Sequence, residues 1–429
     1  MSEDKIITGV DVGTSKIVSL IARAEGSIVN VLGVAEVASR GIKKGQIVDI
    51  KEAVQCINES LDGAERMAGY SVSHIISSIG GSHIESQNSK GVVAISSPRG
   101  EIVQSDLDRV IEAAQAVSLP SNRQIIHVLP RNYSVDGQEG IKDPIGMSGV
   151  RLEINTHIIS GASTSLNNLE KTFSQVGVDM DGVAFSGYAS SLAVLSDTEK
   201  ELGVVLIDIG AGTTDIAIYV EGSLAHSSVI PVGARHITND LAIGLRISLE
   251  SAEKIKLFLS QARKKSIRDD RDHVNKEVRT TDEIDLSPLG LSEDIRKASQ
   301  KTLIEGIIRP RLNEIFTMVG LEVKRSGFGG QIPAGVVITG GGALTVAAEN
   351  CAKRALAMPV RIGFPTNIKG IIEEIQGPAF ATVIGLAMYG TMLKTKASFP
   401  FGISLPQIPH LGFRKLFSRV FKFFKSFLP

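Results

Sequence analysis

The feature that most constrains the fold is a short pattern that occurs twice, at residues 9–16 (GVDVGTSK) and at residues 206–215 (LIDIGAGTTD). In each copy an apolar, β-branched run reaches an aspartate, small residues follow, and a second β-rich run leads away. Small residues at such a point let a backbone approach an anion closely. Each copy therefore predicts a β-hairpin with a phosphate-sized tip, and two copies predict two half-molecules that face one nucleotide.

The residue types in these tips suit a metal-bound phosphate. Turn N–H groups and hydroxyls donate to phosphate oxygens, and a lysine adds positive charge. The candidates are Gly13, Thr14, Ser15 and Lys16 in the first tip and Gly210, Gly212, Thr213 and Thr214 in the second. Asp11 and Asp208 are the candidates for holding Mg²⁺ through water, because this ion keeps most of its waters beside phosphates. One copy alone would more simply be an ordinary hairpin, but the same order in both copies favours the phosphate site.

A third segment predicts where the base of a nucleotide would lie. Residues 336–343 (VVITGGGA) indicate a buried strand that runs into a glycine turn, and residues 344–356 have helical spacing without Gly or Pro. Gly340, Gly341 and Gly342 would let a flat base lie against backbone. In isolation the segment would equally fit a strand–helix turn that needs glycine for its conformation.

These three motifs, in this order, resemble those of the superfamily of actin, heat-shock chaperone and sugar-kinase ATPases. There they are two phosphate motifs and an adenosine motif, and the resemblance spans residues 5–392. It implies an α/β, two-lobed actin-like ATPase fold with ATP in the cleft. It also implies that Asp11 and Asp208 lie near the metal and that the three glycines surround the adenosine.

The bulk composition fits a large protein with more than one domain. The chain has 429 residues, which exceeds what one core usually supports. Its 46 basic and 46 acidic residues give zero formal net charge, which argues against nucleic acid as the main partner. Cys56 and Cys351 provide neither a disulfide framework nor a metal-site spacing, as expected in a reducing cytoplasm. No signal peptide is expected, and no apolar stretch reaches the ~18 residues of a spanning helix.

Residues 411–428 predict an amphipathic helix that binds a membrane surface. Six of the fifteen phenylalanines lie here, and a helical wheel separates an apolar face completely from a basic one. The apolar face contains Phe413, Leu416, Phe417, Val420, Phe421, Phe423, Phe424, Phe427 and Leu428. The opposite face contains Arg414, Lys415, Arg419, Lys422 and Lys425 with Ser418 and Ser426. Residues 395–410, which include three prolines, are typical of a linker.

Two alternative roles for this helix stay open. A C-terminal amphipathic helix usually packs on the core of its own protein, and a basic one can occupy a partner's groove as calmodulin targets do. The bulky aromatics, the exclusively basic polar face and the linker favour binding in the plane of the membrane. The phenylalanines would then lie at the acyl boundary and the lysines against anionic headgroups.

Several runs between the motifs make the resemblance more specific. Residues 78–84 (SIGGSHI), 237–246 (ITNDLAIGLR), 252–256 (AEKIK) and 360–363 (VRIG), together with the linker and the basic helix, are similar to the FtsA family of bacterial cell-division proteins. The resemblance implies a protein that forms filaments and tethers the tubulin-like division protein FtsZ. The tether would lie on the cytoplasmic face of the inner membrane at the division site and would recruit later division proteins.

The resemblance also implies four subdomains. The first nucleotide lobe would comprise residues 1–84, 166–200 and 378–394, with an interaction subdomain inserted at 85–165. The second nucleotide lobe would comprise residues 201–235 and 333–377, with a smaller subdomain at 236–332.

Individual residues carry further expectations from the same resemblance. Glu253 and Lys254 match the family's contacts to ribose and adenine, although an ordinary exposed helix face is the alternative. Arg311 matches a basic position in the site for the FtsZ C-terminal peptide, and Arg296 or Lys297 would contribute to it.

Hydrolysis of ATP is expected to be weak at most. Related ATPases place a polar side chain over the attacking water from the helix just before the second phosphate motif. Here that helix, residues 186–195 (SGYASSLAVL), contains no Glu, Gln, Asp or His. ATP is therefore expected to act mainly as a structural ligand that closes the cleft.

Three other kinds of protein with this fold are alternatives to this interpretation. A small-molecule kinase would gain nothing from a basic, phenylalanine-rich helix. An MreB-like filament protein would carry its membrane anchor at the N-terminus and would lack an insertion at 85–165. A PilM-like pilus-assembly protein would lack the terminal helix.

Overall fold

The computed structural model of the chain describes residues 5–25, 28–97, 99–269, 282–370 and 375–393. Its strands, β1 to β19, are Lys5–Val12, Lys16–Glu25, Ile28–Ala38, Ile42–Lys43, Gln46–Ile47, His74–Ile79, Glu85–Ala94, Arg123–Val135, Gln138–Ile141, Arg151–Ala162, Asp179–Phe185, Val204–Ile209, Thr214–Val220, Ser223–Ile230, Glu283–Asp285, Lys297–Ser299, Val336–Thr339, Val360–Ile362 and Ile368–Gly370. The linker and helix expected at 395–428 lie outside the described residues.

The helices connect these strands. In chain order, α1 to α10 are Ile50–Ala68, Gln104–Gln115, Ser163–Val176, Ser186–Val194, Asp197–Leu202, Ala234–Leu245, Leu249–Asp269, Arg309–Ser326, Ala348–Leu356 and Ala381–Met392. A π-helix at Thr302–Ile308 runs into α8, and short 3-10 turns lie at Ser287–Leu289, Gly341–Leu344 and Pro378–Phe380. Within the described part of the chain, no helix has the length and apolar character needed to cross a bilayer.

The first lobe is built on a six-stranded sheet with the order β11-β6-β1-β2-β3-β19. β1 and β2 form the predicted antiparallel hairpin, and β6 pairs with β1 in parallel. Helix α1 packs on β2 and β3, and α10 packs on β1. The last strand, β19, pairs with β3, so the chain returns to this sheet before α10.

The second lobe repeats the same plan. Its five-stranded sheet has the order β14-β13-β12-β17-β18, with β12 and β13 antiparallel and β12 and β17 parallel. Every residue of β12 and β13 is buried, because helices and the first lobe cover both faces of these strands. In each lobe a hairpin tip therefore lies at the carboxyl end of a parallel strand pair, which is where open α/β sheets bind ligands.

The insertion between β6 and α3 is a four-stranded antiparallel sheet, β7-β10-β8-β9, covered by α2. It has a hydrophobic cluster of its own, which includes Ile102, Val110, Leu152 and Ile154. Three strands of this sheet, β7, β8 and β10, contact β14 of the second lobe. There the Ser86 hydroxyl donates to the Ser227 carbonyl at 2.7 Å, so polar contacts connect the insertion to the second lobe.

Candidate nucleotide-binding cleft

The two hairpin tips have the same local geometry. In the first, the Gly13 N–H donates to the Lys16 carbonyl at 3.1 Å, and in the second the Gly210 N–H donates to the Thr213 carbonyl at 2.9 Å. Each bond closes a turn at the tip of its hairpin. Because nests of backbone N–H groups bind anions, each tip is suited to a phosphate group.

The two tips meet across one cleft. A Cβ atom added to Gly212 would lie only 2.8 Å from Thr14 Oγ1, so glycine is required at the point where the second tip approaches the first. The cleft has a volume of about 320 Å³. Of the predicted nucleotide contacts, all but Thr214 and Lys254 line it. The contacts that do so are Asp11, Gly13, Thr14, Ser15, Lys16, Asp208, Gly210, Gly212, Thr213, Glu253, Gly340, Gly341 and Gly342.

The structure does not bring Thr214 and Lys254 to this cleft. Side chains alternate along a strand, and at the start of β13 it is Thr213 and Asp215 that line the cleft. The Thr214 hydroxyl instead donates to the Val232 carbonyl at 2.8 Å. Lys254 lies on α7 with its Nζ 2.9 Å from Glu250 Oε1, outside the lining.

Helix α7 presents a different lysine. Glu253, Lys256, Leu257 and Ser260 line the cleft, and their spacing of three and four residues places them on one helical face. Lys256 is buried, and its Nζ lies 2.7 Å from Glu253 Oε2 and 2.9 Å from Thr238 Oγ1. Of the two contacts predicted on this helix, the structure therefore brings Glu253 to the cleft, and it places Lys256 rather than Lys254 beside it.

Hydroxyl groups from distant elements hold the two predicted metal-site aspartates. Ser78, on β6, donates to Asp11 Oδ1 at 2.8 Å. Asp208 Oδ2 accepts from Ser190 of α4 and, at 3.2 Å, from Thr382 of α10. These three hydroxyls were missed from the sequence, because nothing in their local runs signals a contact that arises only when the sheets and helices pack.

Asp215 is a further functional candidate that the sequence analysis did not select. It lines the cleft and is buried, yet its Oδ1 has no hydrogen-bond partner among the described residues. A buried carboxylate oxygen without a partner requires an explanation such as a bound ion or water. The available signal was strand alternation, since Asp215 is two residues beyond the predicted contact Thr213.

Burial raises the pKa of all three aspartates of the cleft. Burial raises the pKa of Asp208 to about 6, and the neighbouring Asp11 charge adds to the shift. Burial, followed by the charges of Asp208 and Asp11, raises the pKa of Asp215 well above its usual value. The pKa of Asp11 is also raised by burial, against the Ser78 hydrogen bond and the Lys16 charge. A cation in the cleft would stabilise all three carboxylates.

The raised pKa of Asp208 predicts how the ligand-free protein responds to pH. Below an unfolded-state pKa of 3.8 the carboxyl is neutral in both states, and as pH rises through about 6 the fold must accommodate a buried charge. As pH rises from 3.8 to about 6, the Asp208 charge therefore lowers the free energy of unfolding progressively. The total loss is on the order of 3 kcal/mol, at about 1.4 kcal/mol per pKa unit. We expect Asp208→Asn to raise Tm at pH 7.5 without ligand, with the gain shrinking toward pH 4.

Differential scanning calorimetry across this pH range measures the effect. Asp294→Asn is the matched control, because the Asp294 side chain is 86% exposed and, among the described residues, pairs only with Arg296. It should leave Tm nearly unchanged. A gain in Tm that does not depend on pH, or a loss at pH 7.5, would contradict the assignment of a strained buried charge to Asp208.

Lys16 lies at the rim of the cleft in an ion pair. Its Nζ lies 2.6 Å from Glu36 Oε2 on β3 and 3.8 Å from the centroid of the Phe380 ring. An incoming phosphate would therefore compete with Glu36 for this ammonium group.

Solved structures of other proteins share this fold. The PilM–PilN complex of type IV pilus biogenesis matches with a TM-score of 0.63 and 14% identity, over 90% of this chain and 98% of that one. MreB5 of Spiroplasma citri bound to ADP matches with a TM-score of 0.51 and 14% identity, over 90% and 97% of the two chains. A two-lobed α/β architecture, with one hairpin tip from each lobe lining the cleft between them, defines the actin-like class of proteins.

Sequence comparisons show to which family within this class the chain belongs. Models described as "SHS2 domain inserted in FTSA" and "Cell division protein FtsA" match residues 81–160 and 205–385. Cell division protein FtsA of Pseudomonas aeruginosa is 40% identical over 388 residues, covering 90% of this chain and 89% of its own. That of Escherichia coli K12 is 34% identical over 397 residues, covering 91% of each. The chain belongs to the FtsA family of bacterial cell-division proteins, with an actin-like fold that carries an inserted SHS2 domain.

Proposed function

We propose that this chain is an ATP-binding tether that holds filaments of FtsZ on the inner membrane during cell division. The observation that carries the proposal is the convergence of two phosphate-type tips and a glycine turn on one cleft, in a member of a cell-division family. The phosphates of ATP would lie in the cleft beside the point where the two tips meet, in contact with both tips. The adenosine would lie between Gly341 and the Glu253–Lys256 face of α7.

The acidic floor of the cleft supports Mg²⁺ as part of this ligand. Asp11 and Asp208 would hold the ion through water, and Asp215, with its unpartnered oxygen, would accept from one of those waters. When bound, Mg²⁺ neutralises phosphate and carboxylate charge together. The chain's own contribution is to hold these carboxylates in place through the hydroxyls of Ser78, Ser190 and Thr382.

Turnover of ATP is proposed to be slow. The side chain of α4 that faces the cleft is Ser186, and a serine hydroxyl is a poor base. Asp215 is the remaining candidate, but in the proposed site it accepts from a water bound to Mg²⁺ and is not free to act as a base toward a second, attacking water. ATP would then act mainly by holding the two lobes together.

The proposed site for the FtsZ C-terminal peptide is a groove between α6 and α8. It has a volume of about 340 Å³ and is lined by Asp240, Ile243, Gly244, Gly306, Ile307, Pro310, Arg311 and Glu314. Ile243 is 76% exposed, which offers an apolar contact. Arg311 Nε and Nη2 bind Asp240 at 2.6 and 2.9 Å, so a peptide carboxylate would exchange with Asp240 for this guanidinium.

A flotation assay with liposomes, the full chain, MgATP and FtsZ tests the tether. FtsZ should float only when the chain is present. Arg311→Glu should reduce this recruitment by more than ~10-fold, because losing a charged partner in an interface costs several kcal/mol. The variant should still float itself and still bind MgATP.

Arg325→Glu is the matched control for this experiment. Arg325 lies on the same helix, is 74% exposed and pairs only with Glu322 in the described structure. It should recruit FtsZ as the unaltered chain does. Recruitment that survives Arg311→Glu, or that falls equally with Arg325→Glu, would remove this groove from the proposal.

Membrane attachment is assigned to residues 411–428, on the sequence argument alone. The chain would be a peripheral protein of the cytoplasmic face of the inner membrane, recruited to the division site. A single helix of this kind binds anionic lipid reversibly. Filaments would present many helices at once, and avidity raises such binding by roughly 10²–10⁴. The inserted subdomain is proposed to serve filament contacts and later division proteins.

A further inference from the structure

The short hairpin of β4 and β5 has a turn that its sequence does not favour. Ile42 pairs with Ile47 and Lys43 pairs with Gln46, which leaves Lys44 and Gly45 as a two-residue turn. Both have left-handed backbones, with φ of 49° and 74°, as type I′ turns require. Asn-Gly is the preferred sequence for such a turn, whereas a lysine at positive φ carries a conformational cost that points to a function.

This turn lies at the phosphate end of the cleft. The Gly45 N–H donates to Thr14 Oγ1 at 3.0 Å, and Gly45 lines the cleft. A Cβ atom on Gly212 would lie 3.1 Å from the Cα of Lys44. The backbone of Lys44 and Gly45 therefore touches both hairpin tips and forms a third wall where they meet.

The turn is held in this position from its other side. A Cβ atom on Gly45 would lie 2.9 Å from the Gly80 carbonyl carbon, so the turn packs directly on the backbone after β6. Gln46 Nε2 lies 3.0 Å from His83 Nδ1. The turn is thus fixed between the first hairpin tip and the root of the insertion.

The phosphate end of the cleft is rich in negative charge. Asp11, Asp208 and Asp215 supply it, and the Lys16 ammonium is paired with Glu36 at 2.6 Å. Lys44 is exposed and makes no ion pair or hydrogen bond through its side chain within the described part of the chain. A lysine is a compact, flexible point charge that suits a phosphate group.

We infer that Lys44 binds the terminal phosphate of the nucleotide, which makes the β4–β5 turn a third phosphate-binding element beside the two hairpin tips. The inference rests on the proposed function, because it assigns a residue to the ligand of the same cleft. A terminal γ-phosphate lies beyond the β-phosphate that both ATP and ADP carry. A lysine that contacts the γ-phosphate strengthens the binding of ATP but not that of ADP, so Lys44 should raise the affinity for ATP selectively.

Isothermal titration calorimetry of the full chain with MgATP and with MgADP tests the inference. Lys44→Asn should weaken MgATP binding by about 10-fold or more, equivalent to about 1.4 kcal/mol, and MgADP binding by less than about 3-fold. Asn fits the turn better than Lys does, so the variant should keep its fold. Lys44→Arg should restore most of the MgATP affinity.

Lys43→Asn provides the matched control, since Lys43 is also exposed but belongs to β4 rather than the turn. It should leave both affinities unchanged. MgATP binding by Lys44→Asn within twofold of the unaltered chain would overturn the inference, as would equal losses for ATP and ADP or equal losses in Lys43→Asn. If the unaltered chain binds neither nucleotide, the proposed function fails before the role of Lys44 arises.

Discussion

Removal of the residues after Thr395 is expected to abolish co-sedimentation of the chain with anionic liposomes while leaving MgATP binding unchanged. The truncated segment lies outside the described residues, so the expectation comes from its sequence. Each large apolar side chain that is fully buried contributes about 1.5–3 kcal/mol, and each basic residue near an anionic surface contributes about 1 kcal/mol. Partial immersion and the cost of forming a short helix reduce the total, but no second segment is proposed to replace it.

A single substitution should have a similar effect. Phe421→Glu places a charge in the middle of the apolar face and removes an aromatic side chain, so liposome binding should fall by at least ~10-fold. Ser418→Glu adds the same charge on the polar face and should weaken binding only modestly. Equal effects of the two variants would show that net charge, and not an amphipathic helix, determines membrane binding. Liposome binding that survives truncation would contradict the assignment altogether.

Gly340→Ala is expected to weaken both the fold and the ligand affinity of the cleft. Gly340 follows β17 with φ of 81°, and a Cβ atom there would lie 2.2 Å from Asp208 Oδ1 and 2.6 Å from the Ile209 carbonyl oxygen. The methyl group would push the Asp208 carboxylate away from Ser190 and Thr382. We expect a loss of about 2–4 kcal/mol in the free energy of unfolding and a loss of MgATP affinity of at least ~100-fold.

Gly341→Ala is the control for the stability part of this prediction. Gly341 is the next residue and also lines the cleft, but a Cβ atom there would lie 3.8 Å from Ala379 Cβ, which is ordinary contact. Chemical denaturation of both variants separates a steric effect at Gly340 from a general need for glycine, and calorimetric titration of Gly340→Ala measures its loss of MgATP affinity. Similar losses of stability in the two variants, or normal stability of Gly340→Ala, would contradict the account of how the glycine turn and Asp208 fit together.

The sequence predicted the parts of the site that depend on local pattern. The hairpin tips could be recognised because alternating apolar runs and glycines determine a turn within a few residues. The structure forms both as antiparallel pairs, with Val12 opposite Ile17 and Ile209 opposite Thr214. The glycine turn after β17 could be placed for the same reason.

The parts that depend on packing could not be predicted. Lys254 and Lys256 are equally plausible until it is known which face of α7 lines the cleft. Ser78 and Asp11 are far apart in sequence, and only the parallel pairing of β1 with β6 brings them together. The Lys44–Gly45 turn was overlooked, because its only local signal is a lysine in a position that favours asparagine.

Calorimetric titration of the full chain with MgATP tests the central claim most directly, which is that two hairpin tips hold one nucleotide between the lobes. We predict one saturable site per chain, and no detectable binding by Asp208→Asn even though this variant is the more heat-stable protein at pH 7.5. A folded, unaltered chain that takes up no MgATP, or an Asp208→Asn variant that binds it equally well, would contradict the account.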